Sequence, residues 1–389
     1  MKKIIFPMIT CLTLILLLTS CTPAVVDKET VKIGVILPLT GPSSDLGQYT
    51  REGILLGLEE INTNPENKYN YELIFEDSTY NPAMGVTAIN KLISVDGVKY
   101  VLGAQGSSVT LAIAPVAERN KVILITPSSQ SAEISKAGDY IFRTQTNTKQ
   151  EVGFFSDYLL DKVGSETLDL LVVNTAYGES VISTMQTEFE SRGGRIGLVQ
   201  KVEAGDPDVR DPLLKIKNRN TKYVLLGTTR RQGGYILKQA QELGIKAQFF
   251  ATSPIQGKEL LEIGGEAAEG LVYTYPYDST STMPEIEIFR QKFMNKYEHE
   301  NEAYSASGYD ALNVLVKCIE KDKDTEKVRD CLYNTKDYHG ASGLFSFDKN
   351  GDVEKEFIIK TVKNGKFVKY EEEVIEINRK PRIVDIILG

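Results

Sequence analysis

Apolar residues recur along this chain in two alternating rhythms. The segment 31–37 (VKIGVIL) is a short, almost unbroken apolar run, the pattern of a strand buried on both faces. A Gly/Pro/Ser-rich loop over 40–47 follows it, and then Ile54, Leu55, Leu58 and Ile61 recur at helical spacing. Strand patterns return at 71–76, 99–103 and 122–126, with helical patterns at 83–95 and 109–119 between them. Strands alternating with amphipathic helices predict a parallel sheet covered on both faces.

The alternation resumes after Arg143. Helices are expected over 152–163, 179–192 and 233–243, and strands over 168–174, 196–202, 223–227 and 248–251. Two arrays of similar size imply two similar α/β lobes. The weak breakpoints near 144–148 and 275–278 are too short for flexible linkers, so a hinge is expected. From Met283 the pattern gives two helices, a helical hairpin and a Gly-rich β segment over 340–352.

The first residues read differently. Lys2 and Lys3 precede an apolar run over 4–18 that is too short to span a bilayer comfortably and ends in small residues. Leu18-Thr19-Ser20-Cys21 resembles a bacterial lipobox, in which the cysteine is acylated and becomes the mature N-terminus. Residues 1–20 are therefore expected to be a signal peptide, with 21–30 a lipidated tether and Cys21 its anchor. Multiple acyl chains give the stable attachment that one chain does not.

With Cys11 in the expected signal peptide, Cys318 and Cys331 remain for the folded body. They flank the polar turn 321–324 between two helical stretches. Either they close this hairpin as a disulfide, the expectation for an exported chain, or they stay as two buried thiols.

Composition narrows the function. A length of 389 residues suits two or three domains, and Lys+Arg 45 against Asp+Glu 53 gives a net charge of −8. With no basic block, nucleic acid is a poor partner. Only two histidines occur, His299 and His339, which disfavours His-based catalysis and zinc chemistry. No metal or cofactor is expected.

The local motifs are individually weak. Asp348-Lys349-Asn350-Gly351-Asp352 looks like the start of a calcium loop but lacks the closing acid, so a hairpin turn is the better reading. Gly103–Ser108 and Thr126–Gln130 each leave the end of a strand. In open parallel sheets ligands bind beyond those ends, so the two loops should border one cleft. Gly103–Ser108 fails as a dinucleotide fingerprint because its third glycine and its acidic partner are missing.

Taken together, several segments resemble the type I periplasmic solute-binding proteins of ABC transporters, and among them the leucine/isoleucine/valine-binding receptors. They are KIGVILPLTGP (32–42), YVLG (100–103) with Ser107-Ser108, ITPSS (125–129), Phe142-Arg143-Thr144, Tyr177-Gly178, GEAAEG (265–270), Tyr309-Asp310-Ala311 and GLFSFD (343–348). They keep the family's order across about 31–370. The resemblance implies two Rossmann-like lobes joined by three crossings, near Thr148, Tyr275 and Lys360. The first lobe would be 28–148 plus 275–360, and the second 149–274 plus 361–389. It also implies a monomer that closes on a small solute, an amino acid or a related polar molecule, and delivers it to an ABC permease.

The same resemblance implies a pocket. Ser107 falls where a hydroxyl and backbone N–H groups receive a ligand carboxylate, and Ser128 where a carbonyl accepts from its ammonium. Gln130 stands in place of a hydroxyl residue, and Tyr177 matches a tyrosine that closes over the ligand. Leu46 and Thr229 occupy aromatic positions lining the side-chain end. Ser253 replaces the acid that pairs the ammonium, and Arg230 and Arg231 add positive charge at the expected mouth. These departures favour a neutral or anionic solute, unless Glu179 or Asp278 substitutes for the missing acid.

Two other readings keep the same chain. One is a ligand sensor of this fold docked to a receptor kinase. The other is an exported hydrolase using Ser107, which would need a base that two distant histidines do not obviously supply.

Overall fold

The computed structural model describes residues 28–371. The expected signal peptide 1–20, the lipidation site Cys21, most of the tether and residues 372–389 lie outside the described residues.

The first array folds as β1 (Thr30–Leu37), α1 (Ser44–Thr63), β2 (Asn70–Asp77), α2 (Pro82–Ser94), β3 (Tyr100–Gly103), α3 (Ser107–Arg119), β4 (Ile123–Thr126) and β5 (Ile141–Arg143). Its five strands form a parallel sheet in the order β2-β1-β3-β4-β5. The near-continuous apolar runs are explained by burial on both faces. Val31, Ile33, Val35 and Leu37 enter one core while Ile36 enters the opposite one.

The second array gives α4 (Thr148–Val163), β6 (Leu168–Val173), α5 (Ala176–Thr184), β7 (Ile196–Val202), α6 (Arg210–Asn218), β8 (Tyr223–Gly227), α7 (Arg230–Glu242), β9 (Gln248–Ala251), α8 (Lys258–Gly264) and β10 (Val272–Tyr275). Then come α9 (Pro284–Tyr297), α10 (Ala303–Ile319), α11 (Thr325–Tyr333), the small hairpin β11 (Tyr338–Gly340) and β12 (Gly343–Phe345), β13 (Ile358–Lys363) and β14 (Lys366–Lys369).

The second sheet runs β14-β13-β10-β9-β8-β6-β7. It is mixed rather than parallel, because β13 pairs antiparallel with both β10 and β14. A two-residue turn at Asn364-Gly365, both at positive φ, joins β13 to β14 as a hairpin, and a hairpin can only be antiparallel. Strand β13 starts at Ile358, opposite Tyr275, so a boundary at 360 would cut a strand that lies wholly in the second sheet.

Helix α10 returns to the first sheet: Leu312 and Leu315 share a core with Ile54 of α1. Cys318 and Cys331 are disulfide-bonded with Cα atoms 5.7 Å apart, stapling α10 to α11. The segment 348–352 is a turn closed by a bridge between Phe347 and Val353. Asp352 there accepts from Arg143 Nε at 2.5 Å, so its acidic side chain is committed to a buried ion pair.

Candidate functional site

The loops that leave the C-terminal ends of the two sheets meet one another. Ser108 Oγ, in the first turn of α3, accepts from Ala176 N–H at the start of α5 at 3.0 Å. Ala132 N–H donates to Ser180 Oγ of α5 at 2.9 Å. Between these loops lies a cavity of about 230 Å³. Asp45, Leu46 and Tyr80 line it from the first array, and Thr175, Thr229 and Arg230 from the second.

Local sequence sets these positions. Asp77 ends β2 and accepts from Leu39 N–H at 2.8 Å, which holds the start of the β1–α1 loop in place. Thr79 and Tyr80 both take positive φ and turn the chain back. Tyr80 then packs on Gly106, where a Cβ would sit 2.8 Å from its ring and φ is +91°.

Leu46 and Thr229 line this cavity. Ser107 is buried, and its Oγ accepts from Ser131 N–H at 3.0 Å, joining the β3–α3 loop to the loop after β4. Ser128 is buried with its hydroxyl unpartnered. Gln130 and Ser253 are brought into direct contact, Nε2 to Oγ at 3.0 Å, although 123 positions separate them. The Tyr177 hydroxyl instead bonds Thr252 Oγ1 at 2.6 Å. His299 pairs with Glu52 and His339 with Glu285, so neither is the partner of Ser107.

Neither of the two candidate substitute acids fills the place left by Ser253. Glu179 is exposed and paired with Lys201, and Asp278 lines a separate groove beside β14. The acid at that place is Glu151 of α4, which sequence reading missed. It is fully buried and accepts from Ser253 N–H and Thr274 Oγ1, both at 2.5 Å, and from Gln130 Nε2 at 3.2 Å. Burial pushes its carboxyl above the usual range, and those hydrogen bonds only partly offset it. The signal in the sequence was a glutamate on the inward face of a helix, beside Val152 and Phe155.

Arg230 also differs from expectation. Its side chain is 1% exposed and lies within the cavity wall. Nη2 donates to Glu302 Oε2 at 2.6 Å and Nη1 to Glu302 Oε1 at 3.1 Å, while Glu259 Oε2 lies 3.4 Å from Nη1. Tyr49 and Tyr304 place their rings 5.6 and 5.7 Å from Cζ. Burial by itself would lower the Arg230 pKa, but Glu302 reverses that and the guanidinium stays charged. Arg231 is half-exposed and 3.5 Å from Asp45. Arg230 is thus a neutralised, interior cation and not a free positive mouth.

The strand ends of the two α/β arrays thus face each other over a small cavity lined by residues of both. The model of the periplasmic binding protein family matches residues 30–366, and the chain belongs to that family, whose members are receptors and not enzymes. It is 28% identical over 329 residues to a leucine-, isoleucine-, valine-, threonine- and alanine-binding protein of Pseudomonas aeruginosa, covering 84% of this chain and 87% of that protein. Among solved structures, a leucine-binding protein of Thermotoga maritima superposes with a TM-score of 0.82 at 28% identity, covering 88% of this chain and 98% of that one. An ABC-transporter solute-binding protein of Rhodopseudomonas palustris, in complex with 3,4-dihydroxybenzoic acid, shares the fold at a TM-score of 0.79 and 22% identity, covering 87% of this chain and 95% of that one.

Proposed function

We propose that this protein is the lipid-anchored, extracytoplasmic receptor of an ABC uptake system and binds an amino acid or a related small polar solute between two lobes. The first lobe is built on the five-stranded sheet with α10 and α11, and the second on the seven-stranded sheet. The chain crosses between them near 144–148, near 275–278 and just before β13. Solute bridging both lobes favours the closed arrangement, and no bond is made or broken. A permease in the membrane receives the solute.

The observation that carries this reading is the shared cavity: Leu46 from the first turn of α1 and Thr229 from the β8–α7 junction line the same space. Its volume of about 230 Å³ is below the roughly 300–1,000 Å³ of pockets for drug-sized ligands, which fits a smaller solute. Calorimetric titration against amino acids, their amides and small carboxylates tests the reading. Saturable heat with at least one class, together with a smaller radius of gyration on binding, is the expected result. Silence across all three classes would sink it.

A further inference from the structure

Asp45, Arg230 and Arg231 line the cavity, and the cluster they form with Glu259 and Glu302 behind them holds more negative than positive charge. Three carboxylates, Asp45, Glu259 and Glu302, surround Arg230, and the second cation, Arg231, sits 44% exposed at the rim. Arg230 spends both terminal nitrogens on Glu302 and Glu259. Asp45 Oδ1 faces Arg231 Nε at 3.5 Å. Asp45 Oδ2 is left over, buried and without a hydrogen-bond partner, on a side chain only 10% exposed. Its nearest cation is Arg230 Nε at 3.9 Å, too far for a hydrogen bond and equally unpartnered.

A buried carboxylate oxygen with no donor is costly, and so is a buried excess of negative charge. A solute hydroxyl would satisfy the oxygen but leave the charge. A solute carboxylate would add to the excess. A protonated nitrogen answers both, because it brings a donor and one positive charge. Leu46 and Tyr80, lining the same cavity, offer apolar surface for the alkyl stem that carries it. The geometry points to a solute whose inner arm ends in a cationic nitrogen, an ammonium or guanidinium, held by Asp45 Oδ2, with Asp45 as the residue that sets this preference. Burial also raises the Asp45 pKa, the direction expected of an acid short of positive charge. The inference rests on the receptor reading above and gives its solute a charge.

Titration of the full-length chain in detergent with lysine, ornithine, arginine and putrescine, against norleucine, leucine and glutamate, decides it. Lysine and norleucine differ by the terminal ammonium. The cationic solute is expected to bind about tenfold tighter or more, and Asp45→Asn to bring the lysine-to-norleucine ratio toward one. If that variant does not fold, the wild-type ratio decides alone. Norleucine or glutamate binding as tightly as lysine overturns this inference and leaves the receptor reading intact. No heat from any of these, nor from the wider amino-acid, amide and carboxylate panel, overturns both.

Discussion

Arg230, in the first turn of α7, grips Glu302, the N-cap of α10, through both terminal nitrogens, at 2.6 and 3.1 Å. Helix α7 belongs to the second array and α10 packs on the first, so this buried pair ties the two together at the cavity. Removing the guanidinium strands Glu302 and Glu259 and leaves Asp45 only the exposed Arg231, whereas removing Glu302 leaves the cation two other acids. Arg230→Met should therefore destabilise the protein by about 3–5 kcal/mol, and Glu302→Gln by less. The double substitution Arg230→Met/Glu302→Leu should cost less than the sum of the single substitutions in urea unfolding. Strict additivity would show that the pair is not coupled.

Gly257, the residue before α8, makes room for that guanidinium. A Cβ there would lie 2.4 Å from Cζ, Nε and Nη1 of Arg230. The backbone at Gly257 is extended, so the constraint is space and not conformation. Gly257→Ala should push Arg230 off Glu302, cost about 1–3 kcal/mol, and weaken solute affinity in the same titration. Unchanged affinity and stability would mean that the arginine relaxes freely.

The fold was largely legible because its signals are local. Val31 to Leu37 and Leu168 to Val173 are apolar enough to declare strands buried on both faces, and both lie where the sequence places them. Helix α6 and strand β13 were harder. In α6 only Leu213 and Ile216 are buried among lysines, and β13 alternates weakly. The environment of the site was less legible, because charge partners are set by topology. Arg230 reads as surface in a run of Thr-Arg-Arg-Gln, yet 72 positions separate it from Glu302. Glu151 likewise becomes the acid beside Ser253 only once β9 and β10 close over α4.

Glu151 makes stability depend on pH. Its folded pKa lies above the unfolded value of about 4.5, raised chiefly by burial. An acid shifted upward contributes stability that is fully present below the unfolded pKa. That contribution is lost as pH rises through the folded pKa. Relative to Glu151→Gln, which does not titrate, the wild type should be favoured most near pH 4 and progressively less toward pH 8. Urea midpoints of both proteins across that range give the difference, and a flat difference would show that Glu151 does not titrate as described.

Cys21 follows a lipobox-like Leu18-Thr19-Ser20. If it carries the anchor, Cys21→Ser should move the protein from the membrane fraction to the soluble one without altering solute affinity. Retention of the serine variant on membranes would instead point to an uncleaved apolar segment.

The disulfide between Cys318 and Cys331 closes a short loop, with a sequence separation of 13, at the C-terminal end of α10. Chain-entropy arguments give such a loop about 3 kcal/mol of stabilisation. Glu302, which grips Arg230, caps the opposite end of the same 17-residue helix, about 25 Å away along the axis. Opening the staple loosens α11 and the distal turn but leaves the first turn of α10, anchored by the Glu302–Ser305 capping box, in place. Cys318→Ala/Cys331→Ala should therefore lower the thermal midpoint and leave solute affinity within twofold or so of wild type. A parallel loss of affinity would show that order in α10 propagates along its length to the cavity.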